Sequence, residues 1–283
     1  MTSVNQEQVA PAAGGESRNL RTRIIAALVL APAAIGIAWA GGVLWIGLVT
    51  LAAIGMYVEW LTIVGTAQEK QTVAAGIAAL VLSGLSLALG YGAFSLVVLV
   101  IGTAAVAAVS RRLRLWSVAG FCYAAAAAFA SAQVRLDDAY GFVALIFVML
   151  VVWAADIGGY FAGRGIGGPK LWPRVSPKKT WAGAIGGFAG GLVVAAGFAA
   201  IGIGKLTPLL LLAAFLSVVS QSGDLFESAV KRRFGVKDSS QIIPGHGGLL
   251  DRLDGFVAAI VVAALFGFLR GDANGIGHAL MIW

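Results

Sequence analysis

The stretch from 220 to 254 is the part of this chain richest in side chains that could do chemistry. It lies between two long apolar runs and holds Asp224, Glu227, Asp238, Asp251, Asp254, Lys231, Arg232, Arg233, Lys237, Arg252 and His246. Such a density of charge beside apolar segments is costly in a membrane protein. A functional site is therefore the first expectation for this stretch.

The spacing of its carboxylates predicts a helix face that could bind a metal. Asp224 and Glu227 are three residues apart and Glu227 and Lys231 four apart, so all three share one face of a helix that extends the preceding apolar run. Asp251 and Asp254 repeat the three-residue spacing where the next run begins. Paired carboxylates beside phosphates are the oxygen ligands that Mg²⁺ prefers. Alternatively, Asp251 and Asp254 stabilise the start of a helix through its dipole.

Glycines precede this last pair of aspartates. Gly245, Gly247 and Gly248 allow a tight backbone whose N–H groups can approach a ligand closely. His246, between them, could donate to a phosphate, act as an acid or base, or be an ordinary loop residue. A zinc site is not indicated, because no second His or Cys lies nearby.

A second candidate site lies at residues 176–180, with the sequence Ser-Pro-Lys-Lys-Thr. Serine followed by proline is typical of a helix start, so Ser176 is predicted as the N-cap and Pro177 as the first helical residue. Lys178 and Lys179 in a first turn have the wrong sign for the helix dipole, which favours anions there. Together with Thr180 they predict a phosphate-binding site. The alternative is that both lysines only determine membrane topology.

The elements that must position these residues are membrane helices. The chain has 283 residues, of which 59% are hydrophobic and 12% are charged, and its 39 glycines include the helix-packing spacing Gly183, Gly187, Gly191. The fold class is therefore all-α and polytopic. Nine apolar runs are long enough to span a bilayer: 24–40, 43–64, 73–90, 93–109, 116–134, 140–156, 181–203, 206–222 and 255–270. Asp156 is expected to end the sixth.

The positions of the basic residues predict an orientation. With the N-terminus in the cytosol, 17 of the 20 lysines and arginines fall in cytosolic loops, and only Arg135, Lys205 and Arg270 fall outside. The two polar loops, 157–180 and 223–254, then face the cytosol together and can form one site. Glu59, at the end of the second span, is either an interfacial residue or a member of that site.

Three regions follow from this arrangement. Residues 1–17 are expected to form a disordered cytosolic tail, 18–155 the N-terminal membrane helices, and 156–283 a C-terminal catalytic membrane region. The net charge of +7 is spread over loops between apolar runs, which favours contact with anionic membrane lipid over nucleic acid.

The motifs of the two loops resemble a known family. Ser228-x-Val230-Lys231-Arg232, Lys237-Asp238-Ser239 and Pro244-Gly245-His246-Gly247-Gly248-x-x-Asp251-Arg252-x-Asp254 are similar to the signature of the phosphatidate cytidylyltransferases, also called CDP-diacylglycerol synthases. The segments 176–181 and 223–225 resemble other marked segments of that family. Ala182 and Ser240 depart from the pattern, where Glu and Gly are usual, which leaves those two positions without an inferred role.

The resemblance implies a reaction and its participants. Members of the family join CTP to phosphatidic acid, giving CDP-diacylglycerol and pyrophosphate. The reaction requires Mg²⁺ and can use a second cation. It implies a multi-pass protein of the bacterial inner membrane with its active site facing the cytosol, and a homodimer. Another lipid phosphate as substrate, a secondary transporter and a noncatalytic scaffold are the alternatives.

The resemblance also implies roles for individual residues. Asp224 and Asp251, supported by Asp254, would hold Mg²⁺ on the triphosphate. Lys178 and Lys179 would neutralise the leaving pyrophosphate. The remaining candidates for contacts with substrate are Ser176, Thr180, Lys231, Arg232, Lys237, His246, Gly247, Gly248 and Arg252, of which Lys231 and Arg232 would bind the lipid phosphate and Arg252 could instead orient the aspartates.

Overall fold

The fold is a bundle of long apolar helices with one small β-hairpin. The computed structural model describes residue 29 and residues 31–240, 247–271 and 275–283. The helices are α1 (Ala31–Ala40), α2 (Gly42–Ile63), α3 (Lys70–Ala88), α4 (Gly92–Val109), α5 (Arg114–Arg135), α6 (Gly141–Gly165), α7 (Trp181–Ala200), α8 (Leu206–Arg233), α9 (Leu250–Arg270) and α10 (Ile276–Met281). The hairpin pairs β1 (Lys170–Trp172) with β2 (Ser176–Thr180).

Eight of the helices in the described ranges, α2 to α9, are long and apolar enough to cross a membrane. This confirms the predicted all-α polytopic fold and eight of the nine predicted spans. The first predicted span, 24–40, begins outside the described residues, and its part from 31 to 40 is helical.

Two helix boundaries near the predicted site residues differ from the predictions. The sixth span was expected to end at Asp156, but α6 continues to Gly165 and so carries Asp156 inside a helix. The predicted helix start at Ser176 is also wrong, because Ser176 to Thr180 form strand β2 and pair with β1. Helix α7 begins at Trp181, and its N-cap is Thr180, whose side chain accepts a hydrogen bond of 3.1 Å from Gly183 N.

Helices α6 and α7 pack backbone to backbone. A Cβ at Gly183 would lie 2.9 Å from Gly159 O, and one at Gly187 would lie 2.6 Å from Ala155 O. Both glycines are buried, as is Gly191 further along α7. The packing interpretation of this spacing is confirmed.

The two predicted polar loops meet at one end of the bundle, here called the hairpin end. The Lys179 ammonium on β2 forms an ion pair with the Asp224 carboxylate on α8, and Arg232 Nε donates to Val175 O at 3.4 Å. At the opposite end, Arg135 Nη2 donates to Trp39 O at 2.8 Å and the Asp137 carboxylate accepts from His278 N at 2.6 Å. Charged side chains thus link separate elements at both ends of the bundle.

Candidate active site

A cavity of ≈ 560 Å³ opens at the hairpin end, between α6, α7, α8 and the hairpin. Helix α7 contributes Gly183 and Ala184 to it, and charged and polar side chains from α6, α8 and the hairpin reach it. Those that line it are Asp156, Tyr160, Arg164, Lys178, Lys179, Thr180, Gln221 and Asp224. The cavity therefore brings together the two lysines of the first loop and the first aspartate of the second, as the sequence predicted.

The cavity carries charges of both signs and is open to solvent. The side chains of Lys179 and Asp224, which pair with each other, are 27% and 33% exposed. Asp156 lies one helix away on α6, within electrostatic range of both. Lys178 is exposed beside them. A half-exposed ion pair is weakly held, so an incoming anion can take over the lysine and a cation the aspartate.

The start of α7 forms part of the cavity wall. Thr180 caps this helix, and Gly183 lies on its first turn at the cavity. Free N–H groups of a helix start favour phosphate, and here Lys179 and Lys178 lie one and two residues before the cap. Phosphate binding by this set stays a prediction, with Thr180 and not Ser176 as the cap.

A second set of charges forms a buried network next to the cavity. Lys231 Nζ lies 2.6 Å from Glu227 Oε2 and 2.5 Å from Asp251 Oδ1, and the Lys231 side chain is only 11% exposed. Ser239 donates to Asp251 Oδ2 from both its N, at 3.0 Å, and its Oγ, at 2.8 Å. Glu59 on α2 accepts from the same serine hydroxyl at 3.3 Å. We call these five residues the buried network.

Asp251 and Asp254 have different surroundings. Asp251 Oδ2 also accepts from Gly248 N at 3.0 Å, so the carboxylate both closes the start of α9 and pairs with Lys231. Asp254 lies within electrostatic range of Asp224, Glu227 and Asp156. Among the described residues no three His, Cys, Asp or Glu side chains are arranged as a metal site. Mg²⁺ binding by Asp224, Asp251 and Asp254 stays a prediction.

The other predicted contact residues are distributed around these two clusters. Ser176 is half-buried on β2, whereas Arg232, Lys237 and Arg252 are exposed. Gly247 has a φ of 86°, which favours glycine, and a Cβ at Gly248 would lie 2.9 Å from Glu59 Oε2. His246 lies outside the described residues. Lys231 contacts carboxylates in this structure, so its binding of lipid phosphate stays a prediction.

Two residues of the site were not assigned from the sequence. Asp156 was taken only as the end of a span, although a carboxylate after a long apolar run is itself a signal of function. Glu59 was left open between two interpretations, and the structure places it in the buried network, 1% exposed.

The fold and the two clusters define a class of protein: a multi-pass membrane protein with a cavity lined by lysines and carboxylates at one end of its helix bundle. Over residues 21–269 the chain matches the cytidylyltransferase family. The chain therefore belongs to the cytidylyltransferase family.

Individual relatives agree with this assignment. The chain is 44% identical to the phosphatidate cytidylyltransferase of Brucella suis over 262 residues, which cover 90% of this chain and 96% of that protein. It is 47% identical to the phosphatidate cytidylyltransferase of Bacillus subtilis over 131 residues, 44% of this chain and 47% of that protein. The corresponding enzyme of Haemophilus influenzae is 46% identical over 138 residues, 47% of this chain and 48% of that protein.

Proposed function

We propose that this enzyme transfers CMP from CTP to phosphatidic acid, giving CDP-diacylglycerol and pyrophosphate for phospholipid biosynthesis. The observation that carries the proposal is the cavity in which Lys178 and Lys179 face Asp156 and Asp224 at the membrane boundary. Nucleotidyl transfer needs cations that bind the polyphosphate and carboxylates that bind its metal counter-ion. Membership of the family and the names of its relatives support the same reaction.

An apolar groove beside the cavity supports a lipid as the second substrate. The groove measures ≈ 500 Å³ and shares Leu171, Ala184 and Gln221 with the cavity wall. Its remaining lining is almost wholly apolar and includes Trp172, Trp181, Ile185, Phe188, Val218 and Leu225. An amphipathic molecule can thus place its phosphate among the charges and its chain along the groove.

The chemistry requires mainly positioning and charge. A phosphate oxygen of phosphatidic acid forms a bond to the α-phosphorus of CTP, and the bond from that phosphorus to the α–β bridging oxygen breaks, releasing pyrophosphate. Because the attacking phosphate is already an anion, no strong base is needed. The barrier lies in repulsion between two anions and in alignment, which Lys178, Lys179 and the start of α7 are placed to reduce.

Mg²⁺ fits the donor chemistry of the site. Asp156, Asp224 and Asp254 are carboxylates on three different helices within mutual electrostatic range, an arrangement that a divalent cation would relieve. Asp224 and Asp254 would hold the ion, and Asp251 would join them on releasing Lys231. The ion, when bound, supplies positive charge to the triphosphate. A second cation would find further oxygen atoms in the same acidic cluster.

The cavity faces the cytosol in this proposal, in the inner membrane of a bacterium, because 17 of 20 basic residues then lie on that side. Cysteines introduced at 178 and 237 should react with a membrane-impermeant reagent only after the cells are opened. Reaction in intact cells would contradict this orientation. A homodimer is part of the proposal through the family resemblance alone.

One assay separates the proposed function from its alternatives. Purified enzyme in phospholipid nanodiscs should release pyrophosphate from CTP when phosphatidic acid is present, and EDTA should abolish the release. A response only to another lipid phosphate would identify a different cytidylyltransferase. Absence of pyrophosphate with every lipid phosphate would favour a transporter or a scaffold.

A further inference from the structure

Glu59 is a buried carboxylate on α2 that the reaction described above does not use. Its side chain is enclosed, with 1% of the residue exposed. Oε1 accepts from Ser240 Oγ at 2.5 Å and from Leu249 N at 2.9 Å. Oε2 accepts from Leu250 N at 2.7 Å and from Ser239 Oγ at 3.3 Å. Four donors from one segment, some 180 residues further along the chain, therefore converge on this carboxylate.

Two of these donors, the N–H groups of Leu249 and Leu250, belong to the start of α9. The N-cap of α9 is Leu249, whose side chain makes no capping hydrogen bond. A buried N–H without a partner costs about 1 to 3 kcal/mol, so an acceptor from elsewhere is required. Glu59 supplies it from another helix, and its negative charge also suits the positive end of the α9 dipole.

The same carboxylate is linked to the candidate site through Ser239. That hydroxyl contacts both Glu59 Oε2 and Asp251 Oδ2, and Asp251 Oδ1 in turn contacts Lys231. Gly248 lets the chain pass close to this junction, because any side chain there would collide with Ser239 Oγ. Glu59 thus fixes the position of the segment that carries Asp251 and, one turn later, Asp254.

We propose that Glu59 is a positioning residue for the transfer reaction: it holds the start of α9 so that Asp251 and Asp254 face the cavity residues correctly. This inference rests on the proposed function. Glu59 lies outside the cavity lining. It contacts the start of α9 through Leu249 N and Leu250 N and lies beside Gly248. Its effect on turnover would therefore pass through the aspartates of α9.

Glu69 offers a matched control in the same chain. It is also a glutamate that accepts from the backbone of a distant segment, with Arg111 N at 3.0 Å and Arg112 N at 2.9 Å, and from Thr72 Oγ1 at 3.1 Å. It lies at the hairpin end but contacts neither the cavity nor the buried network. Glu69→Gln therefore reports what the loss of such a clamp does to the fold alone.

The experiment compares Glu59→Gln with Glu69→Gln in nanodiscs. We expect Glu59→Gln to lower kcat about 10- to 100-fold, the range seen when the partner of a ligand is removed, with KM for CTP changed less than about threefold. The Mg²⁺ concentration for half-maximal rate should rise. Amide hydrogen exchange at 247–251 should accelerate, while exchange in α3 stays as in the wild type. Glu69→Gln should leave kcat unchanged.

Equal kcat values for the two variants, or for Glu59→Gln and the wild type, would overturn the proposal. If Glu59→Gln does not fold, Glu59→Asp replaces it, because aspartate keeps the charge on a side chain one methylene shorter. The same fall in kcat in Glu59→Asp supports the proposal, and a wild-type kcat overturns it. A wild-type enzyme without phosphatidate-dependent turnover would contradict the proposed function instead. Amide hydrogen exchange at 247–251 in Glu59→Gln would then test the positioning role of Glu59. Exchange rates equal to those of the wild type would overturn that role.

Discussion

The cavity and the buried network both join a lysine to carboxylates of α8 or α9, yet they differ in their access to water. Lys179 and Asp224 are 27% and 33% exposed and face a cavity, whereas Lys231 and Glu227 are 11% and 2% exposed and pack inside the bundle. An exposed pair contributes little to stability. A buried pair is strongly destabilising once one partner is removed. The same residue types therefore form an accessible ion pair in one cluster and a buried one in the other.

The largest effect should come from breaking the buried network. Lys231→Met leaves Glu227 and Asp251 without their common cation, and we expect a loss of about 3 to 5 kcal/mol in the free energy of unfolding. Lys179→Met should cost about 0 to 1 kcal/mol. Denaturant unfolding of the two variants in detergent micelles measures the difference. Equal losses would show that the two clusters do not differ as described.

Asp224→Asn tests the cavity through turnover, whereas Lys231→Met tests the buried network through stability. Removing one preorganised charge from a site of charge stabilisation typically lowers turnover about 10²- to 10³-fold, and we expect that loss here. The free energy of unfolding should change by less than about 1 kcal/mol. Asp138→Asn, an exposed aspartate at the opposite end, serves as the control. A destabilised but active Asp224→Asn enzyme would reverse the assignment of the two clusters.

Two glycines sharpen the comparison through packing. A Cβ at Gly248 would collide with Ser239 inside the buried network, whereas one at Gly165, at the end of α6, meets nothing within 4 Å. Gly248→Ala should lower the free energy of unfolding by about 1 to 3 kcal/mol. Gly165→Ala should change it by less than about 0.5 kcal/mol. Thermal unfolding of both variants checks this ranking. A Gly248→Ala variant as stable as the wild type would contradict it.

The smallest effect concerns Glu69, a third carboxylate contact at the same end. Hydrogen bonds from the backbone N–H of Arg111, above all, and of Arg112 hold the pKa of this carboxyl below its ordinary value of 4.5. The contact therefore adds stability above pH 4.5 and loses it as the pH falls through the lowered pKa. Glu69→Gln should remove this part of the acid-induced fall in melting temperature. The melting temperatures of the wild type and of Glu69→Gln, measured over the same pH series, should converge at low pH. A difference that persists at low pH would contradict this account.

Local patterns were sufficient to predict most of the bundle. Long apolar runs predicted α2 to α9, and the i, i+4 spacing of Glu227 and Lys231 predicted the shared face of α8 on which they form an ion pair. The meeting of the two polar loops followed from charge placement and is confirmed by the pair between Lys179 and Asp224.

Features that depend on distant partners were missed. The segment from Ser176 to Thr180 has the composition of a helix start, but pairing with β1 makes it a strand. Asp156 was taken as a helix end because a charge is unfavourable inside an apolar span, but α6 continues past it and the exposed carboxylate lines the cavity. The four donors of Glu59 come from residues 239–250, and no local spacing reveals such a contact.

The glycine contact between α6 and α7 has a mechanical consequence. Where two main chains touch without intervening side chains, no rotamer change can part them, and separation would require displacing whole helices. That side of the site therefore behaves as a fixed partition. A phospholipid diffusing in the plane of the bilayer would meet a closed contact there, whereas the tryptophan-lined groove between the hairpin, α7 and α8 is open to its acyl chains.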